Sequence, residues 1–443
     1  MARKILIGLL VICLVLLCLG AGFIVYMETR PAAQSPVTTT PTETLEPTEI
    51  PTTEAPVTVP PTTEAPTTEP VPTETEPQEV RYVLSFAGDC TLASNSNNYG
   101  SPHGFIGTIG TDYDYPFRNV AAFFESDDFT IINLESVLAD SGSGANKLFT
   151  FRGPTAYTQI MTGSSVEAVT LANNHTMDFG KAGYESTIQA LTDAGLTYVE
   201  ENKTAVYVTE SGLTIGLYAD SFDFSTAEIQ KNIQKLREQG AEIVICAFHW
   251  GTEGSYRPTS DQKKIAHAAI DAGADIVYGH HPHVLQPIEE YKDGYIFYSL
   301  GNFSFGGNHF PRDMDSAILQ VTVLRDGSGK ISLDGMTMIP VSISSMKNQN
   351  NFQPIPYEAG TKEYDRTLSK LDGTFTGPDL VVNYAHLKPT EAPTEAPTEA
   401  PSSTQAPAEP PAQEPPAEEP PAQEPPSQEP PAQEPPADTP NPT

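Results

Sequence analysis

Short apolar runs alternate with helical patterns through the central part of the chain, and this alternation limits the fold more than any other feature. The apolar runs, rich in β-branched or aromatic side chains, are residues 82–87, 129–132, 168–172, 214–219, 243–248, 276–278 and 295–300. The helical patterns are residues 116–126, 182–194, 226–239 and 260–272. Runs of this kind are typical of strands buried on both faces. The alternation therefore predicts an α/β fold.

The junctions between these elements support that prediction. The last three helical patterns end close to Gly195, Gly240 and Gly273, and an apolar run follows soon after each one. Glycine is the usual residue where a helix ends. Later, 316–324 and 331–341 flank an Asp-Gly turn and predict an antiparallel hairpin. Residues 342–387 show no pattern that predicts an element.

The N-terminal segment predicts a membrane association. Residues 5–27 contain no charged side chain, and Arg3 and Lys4 precede them. A run of this length can span a bilayer, and the flanking cations place the N-terminus in the cytoplasm. We expect residues 1–30 to form a single-pass membrane anchor with the rest of the chain extracellular. The alternative is a signal peptide cleaved near Gly20 to Gly22.

Proline-rich segments flank the central region. Residues 31–79 carry nine acidic residues and no basic one, and residues 389–443 carry eleven acidic residues and no basic one. Their Thr, Pro and Glu content is too polar to bury a core, so both are predicted to be disordered. We expect the first to be a spacer that holds one domain, residues 80–388, in or near the cell wall, and the second to be a solvated tail.

The net charge of −33 limits the partners of the protein. The flanking segments account for much of it, but the central region is acidic as well. Charge repulsion therefore argues against nucleic acid as a partner, and against unaided electrostatic capture of any polyanion.

Two cysteines fall in the predicted domain, Cys90 and Cys246. Each ends a predicted strand. They predict either one disulfide or two buried free thiols, and their number excludes a scaffold held by several disulfides.

Polar clusters follow the predicted strands, and they carry the functional signal. The clusters are Gly88-Asp89, Asn133 to Glu135, Asn173 to His175, His249 to Gly251, Gly279 to His283 and Gly301-Asn302. Open α/β sheets bind ligands at the carboxyl ends of their strands. A single aspartate there is commonly a helix cap and a single histidine a structural group. Recurrence at successive strand ends instead predicts one shared site.

The residue types in these clusters suit divalent cations. Two carboxylates, an amide oxygen and three imidazoles come from Asp89, Glu135, Asn174, His249, His281 and His283. Such a set can hold two first-row ions, with Mn, Zn and Fe as the candidates. Asn133, Asn173, Glu253, His280 and Asn302 are predicted to contact substrate or to support the ligands.

The same residues carry a resemblance to a known family. The motifs are Phe86 to Asp89, Asn133 to Glu135, Ala172 to His175 with Asp178, His249 to Gly251, Gly279 to Val284 and Ser299 to Phe303. As a set, over about residues 80–345, they resemble the CapA-type capsule-synthesis proteins, the poly-γ-glutamate-associated branch of the calcineurin-like metallophosphoesterase superfamily. The resemblance implies a four-layer α/β/β/α sandwich of metallophosphoesterase type, a dinuclear metal centre and a role in anionic surface polymers.

The resemblance also implies individual roles. Asp89 resembles the aspartate of the first motif, Glu135 takes the place of the bridging acid, and Asn174 with His175 resembles the Asn-His pair. His249 resembles the isolated histidine ligand, and His281 and His283 resemble the final pair, which leaves His280 as a supporting group. The chain departs from the superfamily at Thr91, where a histidine is usual, so one ion would lose a ligand unless water or Asn133 compensates.

Three functions follow as hypotheses. The first is a metal-dependent hydrolase or transferase in which His175, oriented by Asp178, protonates the leaving group. Its substrate would be an anionic capsule polymer or its precursor, and other capsule-synthesis subunits would be partners. The second is a non-catalytic subunit that binds or transports polymer, which Thr91 would allow. The third, an adhesin displayed on two proline-rich stalks, rests on the flanking segments alone.

Overall fold

The structure is a computed structural model and describes residues 79–384. The predicted membrane anchor, nearly all of the spacer, and the tail lie outside the described residues. Within residues 79–384, no helix combines the length and the apolar character that crossing a membrane requires.

The described residues form a mixed α/β structure with three sheets. The strands are β1 (Val80–Thr91), β2 (Ser94–Asn95), β3 (Phe129–Leu134), β4 (Val137–Leu138), β5 (Phe151–Gly153), β6 (Ala168–Thr170), β7 (Thr197–Val199), β8 (Lys203–Val208), β9 (Thr214–Ser221), β10 (Ile243–His249), β11 (Ile276–His280), β12 (Ile288–Tyr291), β13 (Gly294–Phe297), β14 (Asn302–Phe305), β15 (Asp315–Arg325), β16 (Ile331–Ser342) and β17 (Ile355–Pro356). The α-helices are α1 (Phe105–Ile109), α2 (Ala121–Phe124), α3 (Thr158–Thr162), α4 (Gly180–Asp193), α5 (Thr226–Glu238), α6 (Ser260–Asp271) and α7 (Lys362–Leu371).

The largest sheet combines parallel and antiparallel strands. Its order is β17-β16-β15-β1-β3-β6-β7, and β14 also pairs with β1. Strands β1, β3, β6 and β7 run parallel, whereas β15, β16 and β17 are antiparallel to their neighbours. Parallel neighbours bring the carboxyl ends of β1, β3 and β6 to one edge of the sheet.

The second large sheet has the order β12-β13-β11-β10-β9-β8. Strands β9, β10, β11 and β13 are parallel, and the outer strands β8 and β12 are antiparallel to their neighbours. A small third sheet has the strand order β2-β5-β4, and β2 follows β1 in the chain. The apolar runs predicted as strands are thus confirmed as strands of these sheets.

The two large sheets share one apolar core. Phe86 of β1 makes edge-to-face contacts with Tyr278 of β11 and Phe297 of β13, at centroid distances of 5.3 and 5.4 Å. A second core joins the first sheet to α4 and the short helices, and a third joins the second sheet to α5 and α6. This packing fixes the carboxyl ends of β1 and β11 against each other.

Several local predictions are confirmed and others are wrong. The hairpin β15–β16 forms as predicted. The helix predicted over 116–126 is reduced to α2, because the residues before it form turns, in which the Val120 amide donates to the Phe117 carbonyl, while Phe117 and Phe124 are buried. A series of tight turns can bury apolar residues that have the same spacing as in a helical turn.

Several polar clusters begin inside a strand instead of following it as predicted. Asp89 lies within β1, which continues to Thr91 beyond a register shift after Phe86. Asn302 begins β14, because the run predicted as one strand ends at Phe297. Both residues nevertheless reach the same edge, since Asp89 is the register partner of Asn302.

The two cysteines are free and buried. The disulfide alternative is therefore wrong. Burial raises the pKa of both the Cys90 and the Cys246 thiol, which suits inert core residues.

Candidate metal centre

Strand register assembles the centre. Asp89 of β1 is the register partner of Asn133 in β3 and of Asn302 in β14, and His249 of β10 is the partner of His280 in β11. Residues nearly two hundred positions apart therefore meet where the edges of the two sheets converge. The centre is a product of topology, since it combines strands of both large sheets.

Asp89 is fully buried and has three side-chain neighbours. Its Oδ1 lies 2.8 Å from Nδ1 of His280 and accepts a 2.9 Å bond from Nδ2 of Asn133, while Oδ2 lies 3.1 Å from Nδ1 of His283. Burial alone would raise the pKa of Asp89, but the hydrogen bonds and charges of His280 and His283 lower it well below its usual value. Asp89 is therefore a stable anion.

Glu135 is the unusual group of the site. Its side chain is 1% exposed, and neither carboxylate oxygen has a hydrogen-bond partner in the structure. Nε2 of His249 lies 3.6 Å from Oε1, and Nε2 of His283 lies 3.7 Å from it, both beyond normal hydrogen-bond length. Burial raises the pKa of Glu135 well above its usual value. A buried, unpaired carboxylate is costly to leave without a cation.

His249 lies beside Glu135 and is in contact with Asn174 and His281. Nε2 of His249 is 2.8 Å from Oδ1 of Asn174, and the rings of His249 and His281 are 4.8 Å apart. Burial, followed by the charge of His281, lowers the pKa of His249 well below its usual value. Burial and the nearby His283 lower the pKa of His281 to about 4. Nδ1 of each ring is buried and has no hydrogen-bond partner.

His283 is the cationic member of the cluster. Burial alone would lower its pKa, but the carboxylates of Glu135 and Asp89 raise it to about 10. Its Nδ1 also lies 3.0 Å from Oδ1 of Asn302. A proton on His283 thus compensates the two acids where a cation would otherwise do so.

The turn after β11 holds its histidines in an uncommon conformation. His281 has φ of 94° and His283 has φ of 56°. Positive φ is rare for residues with a Cβ atom and is concentrated at functional sites. As a result His280, at the end of β11, and His283 contact Asp89, whereas His281 packs against His249.

Two groups of side chains have ligand atoms within 4.8 Å of one another. One is Asp89, Glu135 and His283, and the other is Glu253, His281 and His283. The donor set of carboxylate oxygens and imidazole nitrogens suits a first-row divalent cation. Together with the unpaired oxygens of Glu135, it fits such an ion.

His175 belongs to a separate polar network next to these groups. Its Nδ1 lies 2.7 Å from Oδ2 of Asp178, a buried carboxylate that also accepts bonds from Nζ of Lys147 at 2.6 Å and from the amide of Phe151 at 2.8 Å. Burial lowers the pKa of His175, although Asp178 acts against it. These contacts fix the orientation of the His175 ring.

The residues that were predicted to support the metal ligands lie at different places around the centre. Asn173 lies behind Asn133, to whose Oδ1 it donates at 3.1 Å, and its own Oδ1 accepts from the His175 amide at 3.0 Å. His280 is buried against Asp89. Thr91 presents only a buried hydroxyl, which has no hydrogen-bond partner in the structure.

A cavity of about 610 Å³ opens beside the centre. Glu135, His175, Glu253, His283 and Asn302 line its inner part. The outer wall includes residues that the sequence did not single out: Phe149, Arg312 and residues 380–384. No local motif marks these residues, because they come from loops and from the region without a pattern.

The fold and the site thus define an α/β protein with a candidate cation centre between two sheets. The model of the family described as "Bacterial capsule synthesis protein PGA_cap" matches residues 83–307. The chain belongs to this family. The match contains every residue of the centre described above.

Two similar proteins carry names that agree with the family. The chain is 33% identical over 267 residues to "Capsule biosynthesis protein CapA" of Bacillus anthracis, covering 54% of this chain and 63% of that protein. It is 30% identical over 293 residues to "PGA biosynthesis protein CapA" of Bacillus subtilis (strain 168), covering 59% of this chain and 75% of that protein. The chain thus spans slightly less than two thirds of the first relative.

Solved structures give weaker likenesses. The NAD nucleotidase of Haemophilus influenzae matches with a TM-score of 0.34 and 12% identity, over 67% of this chain and 63% of that one. A purple acid phosphatase from yellow lupin matches with a TM-score of 0.29 and 10% identity, over 59% of this chain and 54% of that one. Scores this low establish no common fold.

Proposed function

We propose that this protein is a metal-dependent hydrolase or transferase that acts on an anionic surface polymer, or its precursor, during capsule or poly-γ-glutamate synthesis. One observation carries the proposal: the Glu135 carboxylate is buried and has no hydrogen-bond partner, while ring nitrogens of His249 and His283 lie 3.6 and 3.7 Å from its Oε1 atom. Membership of the capsule-synthesis family and the names of the two relatives support an anionic surface polymer as the substrate.

The ligand set divides into two parts that share Glu135. Asp89 and His283 would hold one ion, and Asn174, His249 and His281 would hold the other. A divalent cation supplies Lewis acidity toward a substrate oxygen and increases the acidity of water when it is bound. Mn, Zn and Fe remain the candidates for the ions.

His175 would move a proton at the cavity. Asp178 holds the Nδ1 side of the ring, and His175 itself lines the cavity. The Nε2 side is therefore the one we assign to proton transfer with a leaving group. Because Asp178 is itself held by Lys147 and the Phe151 amide, it keeps the His175 ring in one orientation.

The charge of the protein bears on how an anionic substrate binds. The chain is strongly acidic, and Lys147 near the cavity is already paired with Asp178. Attraction for a polyanion would therefore come mainly from bound cations, together with Arg312, the basic residue among the described residues that line the cavity. This makes substrate binding, as well as catalysis, dependent on the metal, and it leaves nucleic acid an unsuitable partner.

A second function has one specific observation in its favour. Thr91 offers a hydroxyl where the wider superfamily has an imidazole, so the same centre could bind or transport polymer without cleaving it. In that case the protein would be a non-catalytic subunit of a capsule-synthesis complex. Both functions predict metal-dependent binding of the polymer. Only the first predicts turnover of a substrate, so turnover distinguishes them.

The experiment is an assay of the full-length chain, purified in detergent, with and without Mn²⁺. Substrates are a chromogenic phosphodiester and a γ-glutamyl peptide. We expect turnover of at least one substrate that requires Mn²⁺ and falls in His175→Ala. Metal-dependent binding of the γ-glutamyl peptide without turnover would favour the second function, and neither binding nor turnover would contradict both.

The placement of the chain is part of the proposal. We infer a single-pass anchor in residues 1–30 and a domain of residues 80–388 outside the membrane, near the cell wall. The fold we propose for the domain is the four-layer sandwich, supported by the shared core between the sheets and the helical core beyond each sheet. Protease added to intact cells should remove the domain; survival of the domain until lysis would contradict the placement.

A further inference from the structure

The segment after α7 returns to the centre. We refer to residues 379–384 as the C-terminal strap. Its first residue, Asp379, accepts a 2.7 Å bond from Nη1 of Arg257 and a 3.0 Å bond from the amide of Tyr256. The loop that receives the strap is therefore the loop that follows His249, the last residue of β10.

The middle of the strap lies close against that loop and against Arg312. The amide of Leu380 donates to the carbonyl of Gly254 at 2.9 Å, and Nη2 of Arg312 donates to the carbonyl of Val381 at 2.6 Å. Gly254 has φ of 75°, and a Cβ atom there would lie 2.8 Å from the Leu380 carbonyl oxygen. The close approach thus depends on glycine.

The strap ends on an acid of the cluster. The hydroxyl of Tyr384 donates to Oε2 of Glu253 at 2.6 Å, and the Tyr384 ring packs edge to face on Phe149 at 5.2 Å. Burial raises the pKa of Tyr384, so the hydroxyl keeps its proton and remains a donor. The carboxylate of Glu253 is held at one oxygen by this bond.

Glu253 has ligand geometry of its own. One of its oxygens lies within 4.8 Å of ring nitrogens of both His281 and His283. Nδ1 of His281 is buried and has no hydrogen-bond partner, and the fully buried Glu135 nearby is likewise unpaired. These buried atoms without a partner are observations independent of Glu253, and they fit a cation bound by this group.

We infer that Glu253 is a ligand of the divalent cation that is assigned above to His281, with His283 close by, and that Tyr384 of the strap positions the Glu253 carboxylate. The inference rests on the proposed cation-dependent function and adds a ligand to it. Glu253 supplies an anionic group in a chain where Thr91 provides no imidazole. Hydrogen-bond donors to ligating carboxylates orient them, and loss of such a donor commonly weakens metal binding by about 10- to 100-fold.

The test measures the binding of Mn²⁺ to the protein in the absence of substrate. The full-length chain in detergent is titrated with Mn²⁺ and the free ion is followed by electron paramagnetic resonance. Glu253→Gln keeps the shape but removes the charge, and Tyr384→Phe keeps the ring on Phe149 but removes the hydroxyl. Tyr364→Phe, on α7 and outside the cavity lining, is the matched control.

We expect Mn²⁺ to bind about tenfold or more weakly to Glu253→Gln and about tenfold more weakly to Tyr384→Phe. Tyr364→Phe should bind as the unaltered protein does. The spectrum of the bound ion should change in both site variants, while the thermal midpoints without metal stay equal. A purely structural role of Tyr384 would lower the midpoint and leave the bound-ion spectrum unchanged.

Each of the other outcomes would contradict a separate part of the inference. Unchanged affinity and spectrum in Glu253→Gln would remove Glu253 from the ligand set. An effect in Glu253→Gln with none in Tyr384→Phe would remove the role of the strap. If the unaltered chain binds no Mn²⁺ and also none of Zn²⁺ or Fe²⁺, the proposed function itself fails, which is a different result from either of these.

Discussion

The Oε1 atom of Glu135 lies 3.6 Å from Nε2 of His249, and each side chain is 1% exposed. Two buried groups that could form a hydrogen bond instead face each other across a gap that is slightly too long for one. This relationship is expected where a cation lies between an anionic and a neutral ligand. It leads to the first prediction, which concerns stability.

Changing Glu135 to Gln should have opposite effects with and without metal. Without metal, burial raises the pKa of Glu135 and disfavours its charge, so the neutral amide should maintain or raise the thermal midpoint. With saturating Mn²⁺ the unaltered protein should gain about 2.7 kcal/mol at a hundred times the dissociation constant. The variant should gain much less. Scanning calorimetry with chelator and with Mn²⁺ measures both; equal gains in the two proteins would argue against Glu135 as a ligand.

Changing His281 to Ala should weaken metal binding at least tenfold, about 1.4 kcal/mol, because a neutral imidazole is removed from the cluster. His267→Ala is the control. His267 lies on α6, bonded to Glu289 at 2.8 Å and stacked on Tyr291, and it does not line the cavity. Isothermal titration with Mn²⁺ measures the affinities. Loss of binding in His267→Ala with full binding in His281→Ala would place the centre elsewhere.

Changing His175 to Ala should leave metal occupancy intact and lower turnover by about a hundredfold or more, since its proposed role is proton transfer. Asp178→Asn should also lower turnover, because it loosens the ring. Metal content and turnover are measured on the same samples. A parallel fall in metal content would show that His175 acts as a ligand instead.

Asp315 gives a prediction about acid stability that is independent of the centre. It is buried between Arg366, at 2.6 Å, and Lys370, at 2.7 Å. Burial alone would raise the pKa of Asp315, but the two cations lower it. Its stabilisation is therefore complete above the unfolded pKa of about 3.9 and is lost as pH falls through the lower folded pKa.

Asp315→Asn should accordingly destabilise the protein at pH 7 by about 3 kcal/mol, the lower end for breaking a buried pair. The difference from the unaltered protein should shrink as pH falls below about 4. Asp112→Asn, which removes an exposed partner of Arg118, is the control and should change stability little. Urea unfolding over a pH series measures this; a difference independent of pH would contradict the assignment.

Sequence predicted the strands well, because their apolar content is a local property. Phe129–Leu134 and Ile243–His249 are buried at every position, and the pattern of the residues alone shows this. The helix predicted over 116–126 failed because a few apolar residues at helical spacing also suit a series of tight turns.

The site was less accessible to sequence reasoning. The residue types of the cluster could be predicted from their recurrence near strand ends, and their role as ligands stays a prediction. The contacts of Asp89 with His280 and His283 depend on strand register, which the sequence does not show. Tyr384 could not be predicted at all. It meets Glu253 across 131 residues, from a region with no periodic pattern, and only the folded chain brings the two together.

The central claim is that Glu135 lies at a cation centre, and anomalous diffraction from crystals soaked in Mn²⁺ tests it most directly. The account predicts an anomalous peak about 2.2 Å from a Glu135 carboxylate oxygen, with nitrogen atoms of His283 or His249 completing the contact. An anomalous map with no peak near Glu135, while its carboxylate stays unpaired and buried, would contradict the account.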